Sequence, residues 1–542
     1  MHFGEPAIVF PAPGLPLFAP AGRPRLELIA DGHRVGLEDL QRWAAQLALR
    51  EVGGGAVVPL EVESVDVVDG PPDPMVRCFA EVLAPQALVL VRLGLRPRQV
   101  LWPLPPRTVQ LYDLVAADQV VRWRSVAVLH DRQETLTLAF ASDLHLAAFW
   151  DAIWDAVGRH APDLATRVLH PASLLDRFIQ EANALHSRGE LDVIVLGGDL
   201  VEYVYDGTRP GSSENSAATN VQALVEALTP LKVPTIAAPG NHDHRAFAWR
   251  GRTYGLAGVG VPASRTRAVL EAAGLWDPWR FFPADLDALR TVDRGGRPAL
   301  AHFAGSIAPA VDFALTLGGV RLIFASTGCD VLARWRNVEW ARWGLFMRNI
   351  RSAWHHPDSD GLRDEQVRSI ASSLSSARRG GGVWHPHIPP TAAAIFFHAP
   401  LFHSAESAAS FGRVLRLPLG PQEKLSQRAA FERRLQAAGI RSGVLFRNPG
   451  PMIEALASAS GPVATFSGHV HRATAFELDR QTLTLRSFDP RAFEAGPQNV
   501  TLWTAPALCL EGSGENAQPG YLLARFEHGA LRRLEVRGLR GL

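Results

Sequence analysis

Cysteine is scarce in this chain of 542 residues. Its three cysteines lie far apart, and none belongs to a Cys-x-x-Cys pair: Cys78, Cys329 and Cys509. Such a set provides neither a disulfide framework nor a zinc-thiolate site. Any bound metal would therefore be held by His, Asp, Asn or Glu side chains. Those hard and borderline ligands suit Mn, Fe or Zn better than copper.

A large net charge is also missing. The 55 Lys and Arg residues nearly balance the 54 Asp and Glu residues, and the formal net charge at pH 7 is +1. A protein that holds a long polyanion mainly by electrostatics needs a strong positive field. Nucleic acid is therefore a possible partner but not the favoured one, and no protein partner is evident from the sequence.

Long uninterrupted apolar runs are absent. Residues 1–20 are apolar but contain several Pro and Gly residues, carry Glu5 and have no basic start, so they make a poor signal peptide. The most apolar long stretch spans residues 299–326, and four residues interrupt it: His302, Pro309, Asp312 and Arg321. This pattern argues against a membrane span. We therefore expect a cytoplasmic protein.

The length allows two or three domains. Short β-type runs separated by turns predict a mainly β accessory domain at residues 1–132, interrupted by one helix at residues 37–52. Buried strands then alternate with helices, such as one at residues 170–188, which is the α/β signature. We expect this second domain to span residues 133–542, with β-like segments again from about residue 473.

Two stretches of the second domain break this alternation, at about residues 245–318 and 329–390. Eight of the fourteen tryptophans fall between Trp249 and Trp384. Such insertions are typical of a small accessory core packed beside the main one. They are also compatible with a lid over a site, and the sequence leaves both interpretations open.

Five predicted strand ends carry residues that can bind metal. They are Asp143 and His145 in FASDLH, Asp199 in LGGD, Asn241 with His242 and Asp243 in PGNHD, His398 in FFHAP, and His469 and His471 in SGHVH. The carboxyl edge of an open α/β sheet is where sites are built. Residues i and i+2 of an extended strand point the same way, so each D-x-H or H-x-H pair should reach one cluster. The set is large enough for two ions about 3.5–4 Å apart, as used for displacement at phosphorus.

The ordered pattern D-x-H, G-D, G-N-H-D, H and G-H-x-H resembles the calcineurin-like metallophosphoesterase family, from about residue 138 to 472. The resemblance implies a four-layer αββα sandwich with two divalent ions above its central sheets. It implies that the first ion is held by Asp143, His145 and His471. It implies that the second is held by Asn241, His398 and His469, and that Asp199 bridges the two.

The resemblance also implies a mechanism. His242 would be the non-ligand histidine beside the scissile phosphate, and Asp243 would orient it, as carboxylates commonly do for imidazoles. A metal-bridging hydroxide would attack phosphorus, and His242 would assist the leaving group. We expect a phosphatase or phosphodiesterase with a small or medium-sized substrate. The sequence does not decide between monoesters and diesters.

Two departures from relatives stand out. Purple acid phosphatases have a ligand tyrosine three residues after the G-D aspartate, where this chain has Glu202 and places Tyr203 one residue later. We therefore expect divalent ions, with Mn, Fe or Zn the leading candidates, instead of a tyrosinate–Fe(III) centre. Relatives also often have an aspartate-led turn where this chain has Ser326 and Thr327.

Other functions remain open. Related sites cut nucleic acid, and residues 334–351 mix arginines with tryptophans, which could meet a backbone and stack bases. The same segment also permits binding to a lipid surface. A catalytically silent binding protein on this fold is a further alternative. Degenerate family members usually lose ligands, however, and this chain has every expected one.

Overall fold

The structure is a computed structural model. It describes residues 7–22, 24–32, 35–54, 56–68, 89–99, 109–129, 135–147, 150–165, 170–202, 219–240, 242–243, 263–273, 303, 305–327, 362, 364–375, 392–401, 449–483, 485–490, 493, 500–509 and 518–539.

Strands and helices are numbered in chain order. The strands are β1 Ala7–Phe10, β2 Leu17–Pro20, β3 Leu26–Asp31, β4 Leu47–Glu51, β5 Val57–Val67, β6 Leu90–Pro97, β7 Val109–Ala116, β8 Gln119–Leu129, β9 Thr135–Ala141, β10 Val193–Leu196, β11 Thr235–Ala237, β12 Phe313–Leu317, β13 Val320–Phe324, β14 Ala392–Phe396, β15 Val463–Ser467, β16 Thr474–Leu478, β17 Leu485–Phe488, β18 Val500–Thr504, β19 Gly520–Glu527 and β20 Ala530–Gly538. The helices are α1 Leu37–Ala44, α2 Trp150–His160, α3 Pro162–Ala165, α4 Pro171–Ser187, α5 Thr219–Leu228, α6 Ala263–Ala272, α7 Asp364–Ser375 and α8 Pro449–Ala457.

The first eight strands form one sheet in the order β1-β3-β6-β5-β4-β7-β8-β2, hereafter the N-terminal sheet. The helix predicted at residues 37–52 is wrong in its second half, because α1 ends at Ala44 and β4 follows. Strand β4 pairs with β5 on one side and β7 on the other, so that Leu49 lies opposite both Val58 and Leu114. The spacing of apolar residues favoured a helix here, but the backbone N–H and C=O groups of β4 are hydrogen-bonded to a strand on each side.

A five-stranded sheet follows, in the order β11-β10-β9-β19-β20. Strands β9, β10 and β11 are parallel, so their carboxyl ends meet at one edge. The C-terminal hairpin β19-β20 returns to this sheet and pairs antiparallel with β9. Helix α4 confirms the helix predicted at residues 170–188 and packs its Phe178 against Tyr521 of β19, with ring centroids 5.0 Å apart.

A seven-stranded sheet has the order β12-β13-β14-β15-β18-β16-β17. Strands β13, β14, β15 and β18 are parallel. Strand β12 pairs antiparallel with β13 and lies in the stretch predicted as an insertion at about residues 245–318. That stretch therefore already belongs to the sheet near its end, because the alternating apolar residues Phe313, Leu315 and Leu317 are buried in the core.

The five-stranded and seven-stranded sheets pack against each other through phenylalanines. Phe140 of β9 lies 5.8 Å from Phe396 of β14 and 5.7 Å from Phe466 of β15, measured between ring centroids. On the other face of the seven-stranded sheet, Ile395 and Phe397 share a cluster with residues of α7 and α8. The fold is mixed α/β. These contacts are those that the αββα sandwich requires, and the full four-layer arrangement remains a prediction.

Among the described residues, no helix is both long enough and apolar enough to cross a membrane.

Candidate metal centre

Strands β9 and β10 continue to pair beyond their ends. The Asp143 N–H donates to the Gly198 carbonyl at 3.0 Å, and the His145 N–H donates to the Asp199 carbonyl at 2.9 Å. The backbone of His145 is also held by Trp150, whose Nε1 donates to its carbonyl at 2.7 Å. The first two motifs are therefore joined through the backbone, which brings their side chains to one place at the sheet edge.

Five predicted ligands adopt a left-handed backbone conformation. The φ angles are 59° at Asp143, 48° at His145, 52° at Asp199, 71° at His469 and 56° at His471. The expectation of extended strand ends at the D-x-H and H-x-H motifs is therefore wrong, and left-handed turns aim these side chains instead. Such conformations cost non-glycine residues on the order of 1–3 kcal/mol each and cluster at functional sites.

Asp143, His145 and His471 form one group. The Nε2 atoms of His145 and His471 lie 3.3 Å apart. The Oδ1 atom of Asp143 is 3.7 Å from the first and 3.3 Å from the second. One nitrogen or oxygen of each residue thus lies within 4.8 Å of the others, so one ion could contact all three. These are the residues predicted to hold the first ion.

Asp199, His398 and His469 form a second group by the same measure. The Nδ1 atom of His398 donates to the Gly197 carbonyl at 3.0 Å, which leaves a lone pair on Nε2 when the ring is neutral. That Nε2 lies 3.1 Å from Asp199 Oδ2, but it is buried and makes no hydrogen bond within the described structure. A buried nitrogen without a hydrogen bond is costly unless something else satisfies it, and a metal ion would. The remaining predicted ligand of this ion, Asn241, lies outside the described residues.

Asp199 belongs to the second group and also approaches the first. Its Oδ2 is 3.7 Å from His145 Nε2 on one side and 3.1 Å from His398 Nε2 on the other. The Gly240 backbone packs so closely on Asp199 that an added Cβ would overlap its backbone nitrogen and its carboxylate. Only glycine therefore fits at this position of the PGNHD turn, and Asp199 is held where a bridging ligand would stand.

His242 faces the same carboxylate. Its backbone N–H donates to Asp199 Oδ1 at 2.7 Å, and its Nε2 lies 3.8 Å from Asp199 Oδ2. Its Nδ1 donates to the Glu202 carbonyl at 2.8 Å. The imidazole is therefore anchored through one nitrogen and presents the other towards the predicted ions.

Glu202 is a functional candidate that the sequence analysis did not assign. Its Oε2 lies 2.5 Å from His145 Nδ1 and 3.4 Å from His242 Nδ1, and the residue is 2 % exposed. The signal in the sequence is its position three residues after Asp199, where purple acid phosphatases have their ligand tyrosine. A carboxylate there can orient both imidazoles.

The structure gives Asp243 a bracing role. Its carboxylate accepts hydrogen bonds from the backbone N–H groups of Gly240 at 2.7 Å, Leu200 at 2.8 Å and Val201 at 3.0 Å. Asp243 thus ties the PGNHD turn to the residues after Asp199. Asp243 was predicted to orient the His242 ring, but these three hydrogen bonds are to backbone groups. The Glu202 carboxylate, 3.4 Å from His242 Nδ1, is placed to orient that ring.

Ser326 and Thr327, where this chain departs from relatives, are both hydrogen-bonded. The Thr327 hydroxyl accepts the N–H of Ala399, directly after His398, at 3.0 Å. Asp312 accepts the Ser326 N–H at 2.7 Å and the Gln366 side-chain amide at 2.8 Å. A carboxylate from just before β12 therefore supports this turn.

Buried charges of opposite sign shift the pKa values of the centre. Burial raises the pKa of Asp143, but His471 and His145 outweigh it, and the net pKa lies well below the usual range. Burial lowers the pKa of His145 and of His398, but neighbouring carboxylates raise them to about 10 and about 9. The principal carboxylates are Glu202 for His145 and Asp199 for His398. The centre therefore stabilises positive charge, as a cation site requires.

The chemistry of the donor set fits two divalent ions. Carboxylates and imidazoles from separate strand ends converge, all of them buried except the half-buried His469 and His471, and the Nε2 of His398 lacks a hydrogen bond. Oxygen and nitrogen ligands of this kind suit Mn, Fe or Zn.

Residues 136–302 match the family model for calcineurin-like phosphoesterases. The chain contains a calcineurin-like phosphoesterase domain. This match and the ligand groups support the coarse activity, metal-dependent hydrolysis of phosphate esters. Among proteins with curated functions, none matches the chain.

Several solved structures resemble the chain at low identity. A dimetal phosphatase from Danio rerio is 13 % identical, with 74 % of this chain and 96 % of that chain covered and a TM-score of 0.37. PhoD is also 13 % identical, with 96 % and 84 % covered and a TM-score of 0.35. A metallophosphoesterase from Sphaerobacter thermophilus is 12 % identical, with 75 % and 89 % covered and a TM-score of 0.22.

The Trp-rich parts of both predicted insertions, with all eight tryptophans from Trp249 to Trp384, lie outside the described residues. The two interpretations of these insertions, as an accessory core or as a lid, therefore both stay predictions.

Proposed function

We propose that this chain hydrolyses phosphate esters with two divalent ions, Mn, Fe or Zn. The observation that carries the proposal is the pair of ligand groups that approach each other at Asp199, with the Nε2 of His242 facing the same carboxylate. These groups follow strands of the five-stranded and the seven-stranded sheets, and together they combine a cation site with a proton donor.

The proposed ligands follow the two groups. Asp143, His145 and His471 would hold one ion. The second would be held by Asn241, His398 and His469, with Asp199 shared between both. When bound, the ions supply Lewis-acid polarisation of the phosphoryl oxygens and acidification of a water.

His242 is the proposed general acid. Its Nδ1 proton is committed to the Glu202 carbonyl, so a proton on Nε2 is the one available for transfer to the leaving oxygen. The Glu202 carboxylate, 3.4 Å from Nδ1, stabilises the protonated ring before the transfer. Asp243 keeps the turn in place through its three backbone hydrogen bonds.

The proposed substrate is a small or medium-sized phosphate ester, a choice supported by the length of the predicted insertions. The site chemistry suits monoesters and diesters alike. A nuclease would need a basic face to guide nucleic acid, and the balanced charge of the chain does not favour one.

The test compares wild type with Asp199→Asn after removal of metals and addition of Mn(II), Fe(II), Zn(II), Ni(II) or Mg(II). Hydrolysis of p-nitrophenyl phosphate and of bis-p-nitrophenyl phosphate is measured, and bound metal is counted by elemental analysis. Asp192→Asn is the matched control. Asp192 is a buried aspartate at the opposite end of β10, where it accepts the Thr137 N–H at 2.7 Å.

We expect turnover that requires metal, is lost in Asp199→Asn and is kept in Asp192→Asn. The ratio of monoester to diester hydrolysis then directs the search for the substrate. Absence of both bound metal and turnover in the wild type would overturn the proposal in favour of a binding protein.

A further inference from the structure

A loop of the N-terminal sheet reaches the strand that leads to His242. Residues 12–15 form a tight turn between β1 and β2, closed by two hydrogen bonds between Ala12 and Leu15. At its tip, the Gly14 carbonyl accepts the N–H of Ala237 in β11 at 2.7 Å. The Gly14 N–H donates to the Ile307 carbonyl at 2.7 Å. We call residues 12–15 the tip loop.

The tip loop covers an edge of the five-stranded sheet. Strand β11 is the outermost described strand on that side, and β10 is its only strand neighbour there. The next N–H, that of Ala238, donates inward to Leu196 at 2.9 Å, whereas the N–H of Ala237 points outward to Gly14. The packing is tight, because a Cβ on Gly14 would lie 2.9 Å from the Ala237 Cβ and from two atoms of Ile307.

The path from this contact to the metal centre is short. Three residues after Ala237, the Gly240 N–H donates to Asp243, and the Gly240 backbone packs against Asp199. The His242 N–H then donates to Asp199. A shift of β11 along its axis would therefore be carried to His242 with little slack.

Arg124 holds the element before β11. It stands in the irregular stretch where the register of β7 and β8 shifts, at a φ of 46°, and its N–H donates to Asp113 at 2.7 Å. Its guanidinium donates to the carbonyls of Leu228, at 2.8 Å, and Thr229, at the carboxyl end of α5. A cation at that end of a helix is favourable. The irregularity of the N-terminal sheet thus aims a charge at the helix that feeds β11.

From these contacts we propose that the N-terminal sheet positions the general acid, with Gly14 and Arg124 as positioning residues. Gly14 holds β11 from the side and Arg124 holds α5 from behind, so that the turn with His242 keeps its place against Asp199. The inference rests on the proposed function. It assigns the predicted accessory domain a part in catalysis.

The first test compares Gly14→Ala with Gly36→Ala. Gly36 lies in the same N-terminal region, and a Cβ there would meet only Asp39 Oδ2, at 3.6 Å. The second compares Arg124→Met with Arg177→Met, since Arg177 donates to the Leu539 carbonyl at 3.3 Å, away from β11. Folded protein is quantified by near-ultraviolet circular dichroism, and rates are expressed per folded molecule.

Three measurements are made: kcat and KM with p-nitrophenyl phosphate, kcat and KM with phenyl phosphate, and Mn(II) affinity by calorimetry without substrate. We expect Gly14→Ala and Arg124→Met to lower kcat about tenfold or more with little change in KM, because small misplacements cost rates of that order. The loss should be larger for phenyl phosphate, whose poorer leaving group depends more on the acid. His242→Ala provides the reference for this leaving-group effect.

If a substitution at Gly14 or Arg124 also displaces Asp199, the Mn(II) affinity of that variant should fall about tenfold. The inference is overturned if Arg124→Met, or folded Gly14→Ala, keeps the wild-type kcat and the wild-type ratio between the two substrates. Wild type that neither binds Mn(II) nor turns over would instead overturn the proposed function itself. A purely structural role would lower the folded fraction and leave the rate per folded molecule unchanged.

Discussion

Glu202 joins two histidines that have different proposed roles. Its carboxylate contacts the Nδ1 of His145, a proposed ligand, at 2.5 Å, and lies 3.4 Å from the Nδ1 of His242, the proposed acid. Burial raises the pKa of Glu202, but His242 and His145 lower it well below its usual value. The carboxylate is therefore ionised, and it can fix the tautomer of one ring while stabilising the charge of the other.

Replacing this charge should weaken metal binding and catalysis together. In Glu202→Gln the neutral amide no longer makes a charge-assisted hydrogen bond to His145, so we expect Mn(II) affinity to fall by about tenfold to a hundredfold. Calorimetric titration of the metal-free protein measures this affinity. Glu190→Gln, at an exposed position paired with Arg188, is the control. Unchanged affinity in Glu202→Gln would show that Glu202 does not orient the ligand.

Protons occupy the centre when metal does not. The pKa of His145 is about 10 and that of His398 about 9. At pH 7.5 in the metal-free protein both rings are therefore cations with a proton on each nitrogen. A metal ion needs their lone pairs, so its binding must release these protons. We expect roughly two protons per chain, read from the difference in binding enthalpy between buffers of unlike ionisation enthalpy. An enthalpy independent of the buffer contradicts this prediction.

The same shifts predict how stability depends on pH. Both folded-state pKa values exceed the ordinary histidine value of 6.5, so protonation stabilises the metal-free fold fully below about pH 6.5. This stability is lost as the pH rises through about 9 for His398 and 10 for His145. The Tm of metal-free protein should therefore fall between pH 7 and pH 10 in thermal melts. Metal-loaded protein is the control and should fall less, and equal slopes would refute the linkage.

At the scale of elements, the close approach of strand ends sets the geometry of the centre. The turn after β15 passes so near the turn after β9 that a Cβ on Gly468 would overlap the Ser142 hydroxyl and the Asp143 carboxylate. Gly468→Ala should therefore displace Asp143 and lower both activity and stability. The loss of stability should be on the order of 1–3 kcal/mol, as for other overpacked sites.

Urea unfolding and the metal-dependent assay measure these two effects. The matched control is Gly158→Ala, inside helix α2, where an added Cβ meets nothing within 4 Å. Alanine in a helix interior is favoured over glycine by about 1 kcal/mol, so this control should be slightly more stable and fully active. If Gly468→Ala behaves like its control, the turns have room that the structure does not indicate.

At the scale of the whole molecule, one hydrophobic cluster connects the N-terminal sheet to the two other sheets. It includes Leu28 and Leu114 of the first, Leu138 of the second and Phe324 of the third. Arg122 adds a polar link, because its guanidinium donates to the carbonyls of Ile8 and Gly305. The division into domains at residues 1–132 and 133–542 stays a prediction, and the hydrophobic core is continuous across it.

A shared core predicts cooperative unfolding. We expect the wild type to unfold in one calorimetric transition, with the N-terminal sheet melting together with the rest, because separation would expose apolar surface on both sides. Hydrogen exchange followed by mass spectrometry should then show equal protection in β7 and in β9. A separate early transition confined to residues 1–132 would refute this prediction.

The tertiary structure revised several local expectations. The helical spacing of apolar residues predicted a helix through residues that form β4. Pairing with a strand on each side decides the conformation of that segment, and this pairing is not visible in a local pattern. The D-x-H and H-x-H pairs converge through left-handed turns and not through extended backbone. Strand β12 lies within the stretch predicted as an insertion at about residues 245–318. Each difference arises from contacts between residues far apart in the chain.

The sequence by itself determined the class of fold, the order of the motifs and the residue types of the centre. Apolar strands of the right length, each ended by a glycine or a polar residue, carry that information locally. Only the tertiary structure showed that Glu202 faces two imidazoles, that Asp243 braces backbone amides, and that Gly14 meets Ala237. These are contacts at long sequence separation, and they depend on how strands align across sheets. Packing of the assembled sheets decides that alignment, and no stretch of neighbouring residues records it.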